Sequence, residues 1–188
     1  MKYNKTVILK DGRECLLRNG DEGDGKALLD LFILTHGQTD FLASYADECT
    51  YTAEQESEFL KNESESKREI ELLAFVGGKL VASAGVGSIG RSEKSRHRAE
   101  FGISVDQNYW GLGIGRALTD ACVECARNAG YTQLELEAVA DNERAIALYK
   151  KAGFVEYGRN PNGFISRYTG SQALVMMYLD LCKDRKKE

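Results

Sequence analysis

From Ala99 to Val105 the apolar residues Ala99, Phe101, Ile103 and Val105 alternate with Glu100, Gly102 and Ser104, the period of a strand with two different faces. The period then changes. Ile114, Ala117, Leu118, Ala121, Cys122, Cys125, Ala126 and Ala129 recur at steps of three and one, which predicts the apolar stripe of an amphipathic helix. Leu134, Leu136 and Ala138 next alternate with Glu135 and Glu137 as another strand. A strand, a helix and a strand in succession require a crossover, so this unit predicts a parallel pair.

Around that unit the other elements follow from turn and cap signals. Thr6 to Arg18 is a strand pair or bent strand around the turn dipeptide Asp11-Gly12. Lys26 to Leu34 is a short apolar helix, followed by a polar, aromatic loop from Thr35 to Tyr51 that holds His36, Thr39, Asp40, Phe41 and Tyr45. Thr52 to Gln55 (TAEQ) is a capping box that opens a second helix to about Asn62, with Glu54, Glu56 and Glu58 on a solvated face. Ile70 to Val76 and Leu80 to Val86 are strands joined by Gly77-Gly78-Lys79, and Gly87 to Arg98 is a basic loop. Asn142 to Ala152 is a helix, while Phe154 to Asn160 and Ala173 to Leu181 close the sheet. This order predicts an α/β fold with a mixed, mostly antiparallel central sheet and helices on both faces. A single domain over residues 1–182 with a frayed basic tail, Lys183 to Glu188, is expected.

With 188 residues and 43% hydrophobic content, the chain has enough apolar material for one core and too little for two ordinary domains. A net charge of −4 disfavours a nucleic-acid partner and suits a cationic acceptor. Cys15, Cys49, Cys122, Cys125 and Cys182 are an odd set that reads as reduced thiols. Cys122 and Cys125 spell C-x-x-C, but both lie on the helix stripe and the chain has only two histidines, so core packing is expected and no metal site. No run of 18 apolar residues exists and the N-terminus lacks a long apolar stretch. A soluble, cytoplasmic protein with no membrane partner is expected.

Chemistry concentrates between the alternating strand and the helix. Gly111, Gly113 and Gly115 stand at alternate positions there, and such a loop bares backbone N–H groups beside the positive end of a helix dipole. An anion belongs at that point. The spacing is not a dinucleotide fingerprint, because the sixth position counted from Gly111 is Arg116 and from Gly113 is Leu118. Gly20 to Ala27 (GDEGDGKA) approaches a Walker loop, but Ala27 replaces the metal-binding hydroxyl and three acids would repel a triphosphate.

Trp110 to Gly115 (WGLGIG) instead resembles the coenzyme A pyrophosphate loop of the GNAT superfamily of N-acetyltransferases, [Q/R]-x-x-G-x-[G/A], with Trp110 in place of the usual Gln or Arg. A second stretch, Asp141 to Phe154 (DNERAIALYKKAGF), resembles the same family's N-x-x-A-x-x-L-Y-x-x-x-G-F signature. The resemblance implies acetyl-CoA as cosubstrate, held by Gly111, Leu112, Gly113, Ile114, Gly115 and Arg116, by the backbone of Ile103, Ser104 and Val105, and by Asn142 and Tyr149. It also implies two central strands that splay apart around the pantetheine arm. Dimers are common among relatives, so a homodimer is an open expectation.

The implied reaction moves acetyl from acetyl-CoA to a primary amine by direct attack in a ternary complex, with a small-molecule amine as the favoured acceptor. A protein N-terminus or lysine is the alternative acceptor, and a catalytically silent acyl-CoA sensor or scaffold the non-enzymatic alternative. Tyr149 aligns with the family tyrosine near the coenzyme sulfur and is the candidate general acid, although it is also an apolar helix residue able to pack with Ala145 and Ala152. Asn142 fits both a coenzyme contact and a helix N-cap. Glu100 is the candidate base, a structural carboxylate being the other reading; His97 is the runner-up base, and His36 lies in the loop expected to line the acceptor pocket.

Overall fold

The computed structural model describes residues 1–182, so the basic tail lies outside the described residues. In chain order the elements are β1 (Asn4–Ile8), β2 (Glu14–Asn19), α1 (Gly25–Gln38), α2 (Ala53–Glu65), β3 (Ile70–Val76), β4 (Lys79–Ser88), β5 (Arg98–Val105), α3 (Ile114–Asn128), β6 (Gln133–Val139), α4 (Glu143–Lys151), β7 (Val155–Ser166) and β8 (Gly170–Asp180). The strands form one sheet in the order β1-β2-β3-β4-β5-β6-β8-β7. Every neighbouring pair is antiparallel except β5 and β6, the parallel pair that the α3 crossover demands. Among the described residues no helix is long and apolar enough to cross a membrane.

Period-two patterning sorts the two cores. Leu72, Ala74 and Val76 pack with Ile114, Leu118, Cys122 and Cys125 on the α3 side, so the C-x-x-C pair is buried core. Leu73, next in sequence to Leu72, turns to the opposite face and meets Leu28 and Leu31 of α1 and Leu60 of α2. Both faces of the sheet are therefore covered. The β3–β4 turn uses Gly77 and Gly78 at φ 58° and 80°, the left-handed pair that a tight hairpin requires.

Several details differ from the sequence reading. Helix α1 runs on through Thr35 and His36 to Gln38 instead of ending at Leu34. Thr35 is buried and returns its hydroxyl to the Leu31 carbonyl at 2.9 Å, while His36 stacks on Phe32 at 3.7 Å, so these polar groups are satisfied inside the helix. Strand β7 continues past Asn160 to Ser166. Pro161 is tolerated because β7 is an edge strand and its pairing with β8 is irregular between Asn160 and Phe164. Helix α2 begins at the predicted Thr52–Gln55 capping box, but Glu56 is half-buried and only Glu54 and Glu58 are exposed.

The parallel pair is short. Strands β5 and β6 are in register only at Arg98↔Gln133, Ala99↔Leu134 and Glu100↔Glu135. Arg98 clamps that end with a two-pronged contact to Glu135, one prong at 2.7 Å, which holds the Glu135 carboxyl below its usual range. Beyond Glu100 the strands part, leaving the β6 side of Phe101 to Val105 without a strand partner.

Candidate active site

The glycine loop closes the wide end of this gap. Gly111 and Gly113 adopt φ of 84° and 102°, and Gly113 caps α3, its carbonyl accepting from the Ala117 N–H at 3.0 Å. The first-turn amides of Ile114, Gly115 and Arg116 are then left without intrahelical acceptors and open toward the gap. Gly115 lets α4 approach, since a Cβ there would stand 3.4 Å from Leu148.

A cavity of about 790 Å³ runs along the loop and into the gap. Of the residues singled out in the sequence it brings together Ile103, Ser104, Val105, Gly111, Gly113, Ile114, Gly115, Arg116, Asn142 and Tyr149. Leu112 is not among its walls; its carbonyl accepts from the Lys10 N–H at 3.1 Å and its side chain packs on the core. The Arg116 side chain is held by Asp120 at 2.7 Å and by the Lys151 carbonyl at 3.1 Å. Lys10, Arg144 and Lys151 add positive charge to the lining and, with Arg116, outnumber its acids Asp141 and Glu143. Sequence reading missed the first three, because the fold gathers them from the first hairpin and both ends of α4.

Trp110 serves the loop through its own chemistry. Its indole N–H donates to the Val105 carbonyl at 2.8 Å, and the Arg144 guanidinium lies 5.0 Å above its ring. Asn142 caps α4, its Oδ1 accepting from the Ala145 N–H at 3.2 Å. Tyr149 is almost fully buried, edge-on to Phe101 at 6.1 Å and tilted against Phe154 at 6.0 Å. Burial pushes its phenol up to about 12, and its hydroxyl has no hydrogen-bond partner among the described residues.

On the α1–α2 face of the sheet lies a second cavity of about 430 Å³. It shares Leu42, Ile103 and Ser104 with the first, so the two meet at the end of β5. Its floor is glycine: Glu71 faces Gly85, Gly85 faces Gly102, and Gly87 faces Glu100 across successive strands. A Cβ on Gly85 would collide with the Glu71 carboxylate, whereas one on Gly87 or Gly102 would project into open space. His36, Phe59, Glu63, Glu71 and Glu100 complete the polar and aromatic lining.

Burial raises the Glu71 carboxyl to about 8; the Ser83 hydroxyl opposes the shift, and Glu63 and Glu56 add to it. The side chain is enclosed by protein yet still accessible from the cavity. Burial and neighbouring Glu69 raise Glu63 to about 7. His36 Nδ1 lies 2.8 Å from the Phe32 carbonyl and so must carry the proton, and burial lowers its pKa, which keeps the ring neutral. His97 is exposed and lines neither cavity, so the alternative base is not brought to the site. Glu71 was legible as the single acid in an otherwise apolar strand, and Glu63 as the residue one helical turn beyond Phe59.

The loop after α1 is fastened over this junction. Asp40 accepts from Ser166 at 2.6 Å, Gln172 at 3.0 Å and Thr169 at 3.2 Å, and the Tyr45 hydroxyl accepts from the Arg167 N–H at 2.7 Å. Fully buried Asp106 accepts from Gln38 at 3.0 Å and Lys79 at 3.1 Å, tying the end of α1 to the end of β5. Leu42 is thereby set between the two cavities.

Residues 37–154 match the model of the Acetyltransferase (GNAT) family. N-alpha-acetyltransferase RimI of Mycobacterium tuberculosis is 36% identical over 100 residues, 53% of this chain and 60% of that protein. A mycothiol acetyltransferase of Jonesia denitrificans is 40% identical over 68 residues, 36% of this chain and 22% of that protein. The match thus spans less than two thirds of either relative. Among solved structures, an acetyltransferase of the GNAT family from Streptococcus pneumoniae superimposes with a TM-score of 0.83 at 27% identity, covering 87% of this chain and 98% of that one.

Proposed function

We propose, from the premise that the chain belongs to the acetyltransferase (GNAT) family, that it transfers acetyl from acetyl-CoA to a primary amine of a small molecule within a ternary complex. The carrying observation is that a cation-lined groove and an acid-lined cavity meet at Ile103 and Ser104. An anionic coenzyme suits the first and an amine the second. A meeting point between the two also favours catalysis over a sensor that only binds acyl-CoA.

The residues fit the coenzyme. Free amides at Ile114, Gly115 and Arg116, with Lys10 and Arg144 alongside, suit its pyrophosphate, and the unpartnered edge of β5 from Ile103 to Val105 suits the amide-bearing arm. Acetyl-CoA supplies an acyl carbon activated as a thioester. The acceptor enters as an ammonium and loses one proton to Glu100, directly or through water. Attack by the free nitrogen forms the C–N bond, and the C–S bond breaks. The Tyr149 hydroxyl gives its proton to the departing sulfur and is restored by the second proton that the new amide nitrogen sheds. Burial pushes the phenol up to about 12, so it holds its proton at working pH until the thiolate forms.

Direct transfer is favoured over an acyl-enzyme because no cysteine lines either cavity, and burial pushes the Cys15 and Cys125 thiols up to about 11. Initial rates with both substrates varied should give intersecting double-reciprocal lines. Parallel lines would place the acetyl group on the protein first and contradict direct transfer.

A further inference from the structure

We infer that the acceptor is a small organic polycation, a diamine or polyamine, whose reacting nitrogen lies at Ser104, within a water relay of Glu100, while a second ammonium rests on the Gly85–Gly102 floor beside Glu63 and Glu71. This rests on the transferase reading and narrows it to a substrate class. The cavity makes the site, and its lining makes the choice. Three carboxylates line it, no lysine or arginine does, and His36 is neutral. Among the described residues none of the three acids has an ion-pair partner, in contrast to Glu135 with Arg98 on the same sheet.

The same floor decides shape. From Glu71 to Glu100 spans two strand spacings and two residues along β5, on the order of 12 Å between backbones. The glycines between them leave room for a chain to lie flat. Leu42 and Phe59 give that chain apolar walls suited to methylenes. A bare metal ion is a poorer occupant, because among the described residues no three His, Cys, Asp or Glu side chains converge as ligands. A carboxylate-bearing acceptor would find no lysine or arginine at this floor to pair with. The raised pKa values of Glu63 and Glu71, set first by burial and then by neighbouring carboxylates, fit the same picture of acids held without a cation.

The test uses the whole protein with acetyl-CoA and four probes: putrescine, spermidine, n-butylamine and a short peptide with a free N-terminus. Putrescine and n-butylamine share a carbon chain and differ in the second charge. We expect kcat/KM for putrescine or spermidine to exceed that for n-butylamine by at least about tenfold, the effect of one charge-assisted contact. Glu71→Gln, and separately Glu63→Gln in case the first fails to fold, should remove most of that preference through KM, with acetyl-CoA affinity by calorimetry unchanged. Equal use of n-butylamine, preference for the peptide, or a preference that survives both substitutions would overturn the inference. So would silence toward all four probes with acetyl-CoA bound. Failure to bind acetyl-CoA would instead sink the coenzyme reading beneath it.

Discussion

The indole N–H of Trp110 and the carbonyl of Val105 are 2.8 Å apart, a side-chain bond that joins the start of the glycine loop to the end of β5. The two halves of the coenzyme groove, loop amides and open strand edge, are thus held in one fixed relation. The residue that departs from the family's loop pattern supplies this tie. Trp110→Phe keeps an aromatic ring beneath Arg144 but deletes the donor. Acetyl-CoA affinity by calorimetry should fall by roughly three- to tenfold, the span of one net hydrogen bond. Unchanged affinity would reduce the bond to decoration.

Gly113 turns the chain into α3 at a φ of 102°, where a Cβ would touch nothing within 4 Å. The cost of Gly113→Ala is therefore conformational, about 1–2 kcal/mol in urea unfolding. Gly113→Glu adds a charge facing the place of the pyrophosphate and should abolish measurable acetyl-CoA binding while the protein stays folded. A folded Gly113→Glu variant with normal affinity would refute the anion cradle.

Tyr149→Phe should lower kcat by roughly ten- to a thousandfold with acetyl-CoA affinity unchanged. With the phenol pushed up to about 12, Tyr149 stays protonated across the working range. An alkaline limb in the rate profile below pH 10 should consequently survive in Tyr149→Phe. Unchanged turnover would remove the phenol from the mechanism.

The acid-lined cavity predicts a pH dependence of stability in the absence of acceptor. Glu63 and Glu71 titrate in the folded chain at about 7 and about 8, above the ordinary 4.5. The folded state therefore holds protons that the unfolded chain has lost, so this contribution is complete below about pH 4.5 and disappears as pH rises through 7 and 8. Glu71→Gln should flatten the fall of Tm between pH 5 and 8 and raise Tm at pH 8 by a few degrees. A steeper fall in the variant would mean that Glu71 is held ionised by a partner.

Much of this was legible in the sequence where one local signal was enough. The glycines at 111, 113 and 115 beside a change of period placed the cradle, and the stripe from Ile114 to Ala129 fixed α3 and the parallel pair. The last turn of α1 is not legible because Thr35 and His36 are polar residues whose helical place rests on their bonds to the Leu31 and Phe32 carbonyls. The acid-lined cavity was hidden for another reason. Glu71 is one acid in an apolar run, and it becomes part of a site only when sheet pairing sets Gly85 and Gly102 beside it. Lys10 and Arg144 likewise acquire their role only through the fold.

The measurement that bears most directly on the account is release of free coenzyme A from acetyl-CoA by the purified protein, followed with a thiol reagent with and without added putrescine. Slow release alone, and release at least about tenfold faster with the amine and matched mole for mole by acetylated product, is the expected result. Release indifferent to the amine, or none while acetyl-CoA is bound, would contradict it.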